Sequence, residues 1–379
     1  MPPRVPFTQT FLSGKELEYV TRAIEQRCLS SDGPFSQQCS DWLKTHCGAG
    51  EVLMTSSCTA ALEMAAMLCE LGPGDEVIMP SFTFVSTASA VTRTGAQPVF
   101  VDIDPQTLNI DPAAIASQVN SNTRAIIPVH YAGVGCPMKE IGELAREHGL
   151  VVIEDAAQAV GASYAGTPLG AQGQLAAFSF HHTKNFAAGE GGALCINDQG
   201  MLERARILRE KGTNRAAFLD GQVDKYSWVD EGSSYVPSEL ACAFLLAQLE
   251  AAPQIIEARR QAFEFYQQQL EALEQQGHLL RPTIPGECQT NYHLYHLLVA
   301  DQQARNQLIA HLNENDIHAV FHYVPLHLSP MGKRVAPRTP ELPVTESTSD
   351  RLLRLPLFAG ITSQQQQQVV AAINEFFDD

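Results

Sequence analysis

The chain has 379 residues, of which 45% are apolar and 18% charged, and a formal net charge of −17. That length can bury a large core and predicts two domains, while the composition excludes a disordered chain. The acidic balance excludes a general nucleic-acid binder, which needs a basic face to neutralise phosphates.

The opening "MPPRVPFTQTF" carries no positive segment followed by an apolar run, so no secretory signal is read there, and no apolar run is long enough to span a bilayer. A cytoplasmic protein without a membrane partner is expected. The nine cysteines show neither a CxxC pair nor zinc-type spacing. Cys58, Cys69, Cys195 and Cys242 stand among apolar residues and read as small buried side chains, with no disulfide framework expected.

After an N-terminal arm over residues 1–12, short apolar runs alternate with helical patterns from about residue 50 to residue 200. "EVLMT", "DEVIMP", "PVFVDI", "AIIPVH", "LVVIEDA", "LAAFSF" and "GALCI" read as strands; "TAALEMAAMLCEL", "STASAVTRT", "DPAAIASQV" and "MKEIGELAREH" read as helices. Such alternation predicts an α/β fold with a mostly parallel seven-stranded sheet covered on both faces. Ligands of such sheets collect outside the carboxyl ends of the strands. From Ser238 to about Leu273 a long helical stretch, kinked at Pro253, links this domain (1–245) to a smaller α+β domain (246–379). The terminal "SQQQQQVVAAINEFF" reads as a helix capped by Ser363, with the glutamines on its surface.

Four stretches sit where ligands are expected. "TSSCTAAL" (Thr55 to Leu62) follows a strand and opens a helix, so Ser57, Cys58 and Thr59 either cap that helix or form an anion site. "PSFTF" places Phe84 after another strand, where it packs in the core or lies flat on a planar ligand. Asp155 ends "VVIED", with Gln158 three residues on; its carboxylate either caps a turn or meets a cation. In "FSFHHTKNFAAGEGG", Ser179 precedes a glycine-rich turn bearing Lys184, either a solvated loop lysine or a positioned amine. A phosphate site, an aromatic face, an acid for a ring nitrogen and an amine for an aldehyde are together what pyridoxal phosphate needs.

In order along the chain, "SSCTAALEMA", "GPGDEVIMPSFTFVSTASAV", "EDAAQAVGASYAG", "FSFHHTKNFAAGEGG" and "GSSYVPSELACAFLLAQLE" resemble the DegT/DnrJ/EryC1/StrS sugar aminotransferases, pyridoxal-phosphate enzymes of the aspartate-aminotransferase-like fold (fold type I). The resemblance spans nearly the whole chain. It implies that Lys184 carries the cofactor, Asp155 pairs the pyridine nitrogen, Gln158 touches the ring hydroxyl side and Phe84 lies against the ring. Ser57, Cys58, Thr59 and Ser179 would face the phosphate. The family pattern "GxNYR" stands here as "GSSYV", so Ser234 takes the place of the asparagine that reaches the partner subunit's cofactor, which implies a homodimer. Cys58 stands where glycine is common, implying a side chain turned away from the phosphate.

The stretches "REKGTNRAAFLDGQVDKYSWVDEGSSY", "IIPVHYAGV" and "FHYVPLH" resemble the branch that aminates C4 of a dTDP-linked 4-keto-6-deoxy sugar with glutamate, for lipopolysaccharide or enterobacterial common antigen synthesis. In that light His322 is a candidate substrate contact, and Arg215 a candidate for the sugar nucleotide's diphosphate or else a surface residue. His322 and His327 lack a carboxylate or cysteine at ligand spacing, so no metal is expected. A nicotinamide-dependent oxidoreductase would want G-x-G-x-x-G directly after a strand, and none occurs there.

Overall fold

The computed structural model describes residues 5–30 and 32–378; residues 1–4 of the expected arm lie outside the described residues. Seven strands form the main sheet: β1 (Glu51–Thr55), β2 (Glu76–Pro80), β3 (Gln97–Val101), β4 (Thr123–Ile126), β5 (Val151–Asp155), β6 (Leu175–Ser179) and β7 (Gly192–Ile196). Their order is β1-β7-β6-β5-β4-β2-β3. All neighbours are parallel except β7, which runs antiparallel to both β1 and β6. These strands are apolar on both faces because helices cover both. Alternate residues divide accordingly: Val52, Met54, Ile78 and Val152 enter one core, and Leu53, Val77, Met79 and Ile153 enter the other.

The second core, helix α1 (Cys58–Leu68) and helix α2 (Val85–Arg93) lie on one side of the sheet, with the helix Glu239–Glu250 on the other. The long helix expected across Pro253 is two helices. Glu239–Glu250 ends, and Ala252–Gln269 begins after a 62° bend. Proline lacks an amide proton and sits in the first turn of the second helix, where none is needed. Among the described residues no single helix is long and apolar enough to cross a membrane.

The C-terminal third carries its own core around Tyr266, Tyr295, Leu308, Leu353 and Ile373. Its three-stranded antiparallel sheet runs β8 (Tyr295–Leu298), β10 (Leu352–Leu355), β9 (Val320–Phe321). The chain start joins this part: Val5 donates to the Asp316 carbonyl at 3.0 Å and accepts from the His318 amide at 3.0 Å. The last helix (Ser363–Asp378) is capped one residue earlier than expected. Thr362 Oγ1 accepts from the Gln365 amide, and Gln365 Oε1 accepts from the Thr362 amide, a reciprocal box that leaves Ser363 inside the helix.

Glu154, buried on β5, anchors the site end of the main sheet. It accepts from the amides of Gly170 (2.8 Å), Gln172 (2.8 Å) and Gly173 (2.7 Å) and from His130 Nε2 (2.9 Å). The Cys136 amide donates to His130 Nδ1, which leaves Nε2 to donate to Glu154. Burial alone would raise the Glu154 carboxyl, but these donors outweigh it and hold it below the usual range. A depressed folded pKa gives stability that is present above the unfolded pKa and is lost as pH falls through the folded one. Glu154→Gln should therefore cost about 3 kcal/mol at pH 7, read from urea midpoints, and the gap to wild type should narrow in acid. Parallel stability curves from neutral pH into acid would rule out the charged anchor.

Candidate active site

The sheet register assembles the site. Thr55, Gly192 and Ser179 are successive cross-strand partners, and Asp155 pairs with Ala177, two residues short of Ser179. The carboxyl ends of β1, β5 and β6 and the start of antiparallel β7 thus share one edge. A cavity of about 450 Å³ opens there. Ser57, Cys58, Thr59, Phe84, Asp155, Gln158, Ser179, Lys184 and His322 all line it.

One wall is the start of α1. Ser57 adopts an extended backbone and its hydroxyl accepts from the Ala60 amide at 3.0 Å, leaving the earlier amides of the first turn to a ligand. Gly192 makes this approach possible: a Cβ there would stand 2.3 Å from the Ser57 carbonyl carbon and 2.4 Å from the Cys58 nitrogen. Thr59 Oγ1 lies 2.7 Å from Ser86 Oγ. Phe84 is 59% exposed, its ring bordering the cavity. Cys58 both lines the cavity and packs against the core behind α1.

Opposite charges face each other across the floor. Asp155 is buried and accepts from Thr87 Oγ1 at 2.7 Å and from the Ala157 amide at 3.2 Å. Burial pushes its carboxyl up, and those two donors only partly offset the push. Lys184 has no hydrogen bond or ion pair through its amine among the described residues, and burial pushes its ammonium down despite Cys58 and Asp155. Its turn is held by Asn185, which donates to the Asn291 carbonyl at 2.8 Å and meets His293 Nδ1 at 2.9 Å. Gln158 accepts from the Ala132 amide at 2.7 Å and donates to the Tyr323 hydroxyl at 3.1 Å. His322 stacks on Tyr323 at 3.5 Å and meets the Tyr131 hydroxyl at 3.2 Å.

The expected diphosphate contact lies outside this cavity, as does Ser234, which was expected at the partner subunit's cofactor. Arg215 starts a short helix and lines a separate cavity of about 340 Å³, its Nη1 4.0 Å from Glu210. Ser234 is exposed and bridges to Glu210, also away from that cavity. Three residues of the site were not singled out from the sequence: Tyr323 and Arg354, which line the cavity, and Thr87 on α2, which acts on it through Asp155. The one local cue among them was Arg354's place as a lone charge in the apolar strand "LLRL".

The donor set fits pyridoxal phosphate. A buried carboxylate with a raised pKa matches a protonated ring nitrogen, an unpartnered desolvated amine matches an aldehyde, and a helix start cleared by Gly192 matches a phosphate. Fold and site together define a pyridoxal-phosphate-dependent transferase of fold type I. The chain belongs to the DegT/DnrJ/EryC1/StrS aminotransferase family, whose model matches residues 11–374, and its cofactor is pyridoxal phosphate. It is 34% identical over 380 residues to GDP-perosamine synthase of Caulobacter vibrioides, covering 98% of each chain. It is 39% identical over 319 residues to a pleiotropic regulatory protein of Geobacillus stearothermophilus, covering 84% of this chain and 82% of that one. DesV of S. venezuelae, solved in complex with a ketimine intermediate, is 30% identical over the full length of both chains, with a TM-score of 0.89.

Gly192→Ala should push the α1 start off the cavity and weaken pyridoxal phosphate binding by roughly tenfold or more, measured by absorbance titration of the apoprotein. An unchanged affinity would show that the phosphate does not sit on that turn.

Proposed function

We propose that the protein moves the amino group of L-glutamate to C4 of a dTDP-linked 4-keto-6-deoxy sugar, giving dTDP-4-amino-4,6-dideoxy-D-galactose and 2-oxoglutarate. The observation that carries the reaction class is the unpartnered Lys184 amine sharing one cavity with the buried Asp155 carboxylate. The likeness of residues 209–235 and of "FHYVPLH" to the C4-aminating branch supports the substrate. The relative named for a GDP-linked sugar product supports sugar-nucleotide amination without fixing the base.

Bound pyridoxal phosphate supplies the electron sink and the carrier for the amino group. Asp155 keeps a proton on the ring nitrogen, a task suited to a carboxylate whose burial needs a cation. Lys184 Nζ would hold the cofactor and, as a free amine, would carry the proton moved in the reaction; its depressed pKa favours the neutral form this needs. Ser57, Thr59 and Ser179 bind the phosphate, with Cys58 beside them, and Phe84 covers the ring. Gln158, fixed by Ala132 and Tyr323, orients the ring's hydroxyl side, and His322 contacts the sugar.

The protein acts as a homodimer in which Ser234 reaches the partner's cofactor phosphate; Arg215, on the same side of the chain as Ser234 through Glu210, would serve the partner's diphosphate or none. Residues 1–245 form the cofactor domain and 246–379 the smaller one. A non-catalytic cofactor-binding regulator is the second reading, favoured by the regulatory relative; amination at C3, or formation of the gluco epimer, is a variant of the first.

Lys184→Ala should lose borohydride labelling of the cofactor and at least about a thousandfold in turnover. A label that maps to another peptide would refute the role of Lys184. Glutamate should bleach the wild-type pyridoxal band, a response a regulator would lack. A panel of dTDP-, GDP- and UDP-linked keto sugars, with product stereochemistry by NMR, decides among the sugars.

A further inference from the structure

We infer that Arg354, with the Phe7 ring beneath it, forms the site for a carboxylate of the amino donor; this rests on the transamination reading above and assigns its donor-selecting residue. Arg354 lies in β10 between Leu353 and Leu355, which enter the C-terminal core. Strand alternation therefore turns its side chain to the opposite face, where it lines the cavity that holds Lys184. It makes no hydrogen bond or ion pair among the described residues, and its Nε is buried without a partner. Burial depresses its pKa, as expected for a guanidinium lacking an anion.

The N-terminal segment fixes this side chain. Val5 pairs with the chain at 316–318, and two residues later the Phe7 ring packs 4.6 Å from the guanidinium carbon. Stacking on an aromatic face holds the plane of the fork without satisfying its five donors.

Charge in the cavity points to a carboxylate. Lys184, Arg259 and Arg354 line it, against Asp155 and the outlying Glu190. Arg259 is committed to the carbonyls of Tyr292 and His293. Lys184 is reserved for the reacting carbon, and the α1 start for the cofactor phosphate. Arg354 is left for a second anion, and its planar fork suits a carboxylate held by two parallel bonds. A sugar diphosphate trails outward to its nucleotide, whereas Arg354 Nε is enclosed.

Arg354→Gln and Arg354→Lys, as full-length holoenzymes with cofactor content checked by absorbance, test this. Glutarate, a dicarboxylate with no amino group to transfer, is titrated by calorimetry. The two half-reactions are followed separately: glutamate bleaching the pyridoxal band, and dTDP-4-keto-6-deoxy-D-glucose restoring it. Arg354→Gln should weaken glutarate binding and raise the half-saturating glutamate concentration by roughly 10- to 100-fold. Arg354→Lys should do so by less, and the keto-sugar step should keep its half-saturation. Phe7→Ala should act in the same sense but more weakly, with cofactor content unchanged. Unchanged glutarate affinity in Arg354→Gln overturns the assignment. So does an equal loss in the keto-sugar step, which would put a diphosphate on the arginine. A wild-type band that glutamate leaves untouched sinks the transamination reading instead, while glutarate binding still decides whether Arg354 takes a carboxylate.

Discussion

The site depends on two opposite charges stripped of water in one cavity without being hydrogen-bonded to each other. A direct Asp155–Lys184 pair would satisfy both groups and leave no room between them. Instead the carboxylate rests on Thr87 and the Ala157 amide, and the amine is carried by a turn held from below by Asn185. Each group stays desolvated and shifted toward its neutral form. A flat ligand with a cationic nitrogen at one edge and an electrophilic carbon at the other resolves both penalties at once. The sheet is stiff enough to hold them apart because its strands are packed on both faces.

Much of this was legible in the sequence. The seven strands are apolar runs that need two covering layers, so composition marks them without alternation. Ser57 and Asp155 could be placed because each directly follows or ends such a run. What local pattern does not encode is orientation and distance. Nothing in "GALCI" says that β7 reverses direction, although that reversal brings Gly192 beside Ser57 and closes the turn around Lys184. Thr87 resembles any other helix residue until α2 is docked and its hydroxyl meets Asp155. The bend expected at Pro253 is there, as a break after Glu250 rather than a kink within one helix, because proline is equally at home at a kink and in a first turn.

The residues furthest along the chain were the hardest to foresee. Arg354 and Tyr323 reach the cavity only because the C-terminal sheet packs over the strand ends, and a long-range packing decision leaves little local trace. Arg215 shows the converse. Its motif invited a place near the ligand, yet its short helix faces a second cavity beside Arg209, itself tied to Asp32 at 2.5 Å. A motif fixes residue type and spacing, whereas the cavity a side chain enters is fixed by the turn that carries it.

The clearest case is a pair of adjacent carboxylates. Glu154 and Asp155 are consecutive on β5, both buried, and would look interchangeable as a sequence pair. Strand geometry sends them to opposite faces. Glu154 meets four donors from two loops and is held charged. Asp155 meets two and is pushed toward protonation. The saturated carboxylate fixes the loops around the strand end and so the position of its neighbour, and the unsaturated one is left with lone pairs for a ligand. Structural and chemical duties are thus divided between two residues of one strand by the number of donors each finds, a count set for Glu154 by the loops at 130–136 and 170–173 and for Asp155 by Thr87 of α2 and the Ala157 amide.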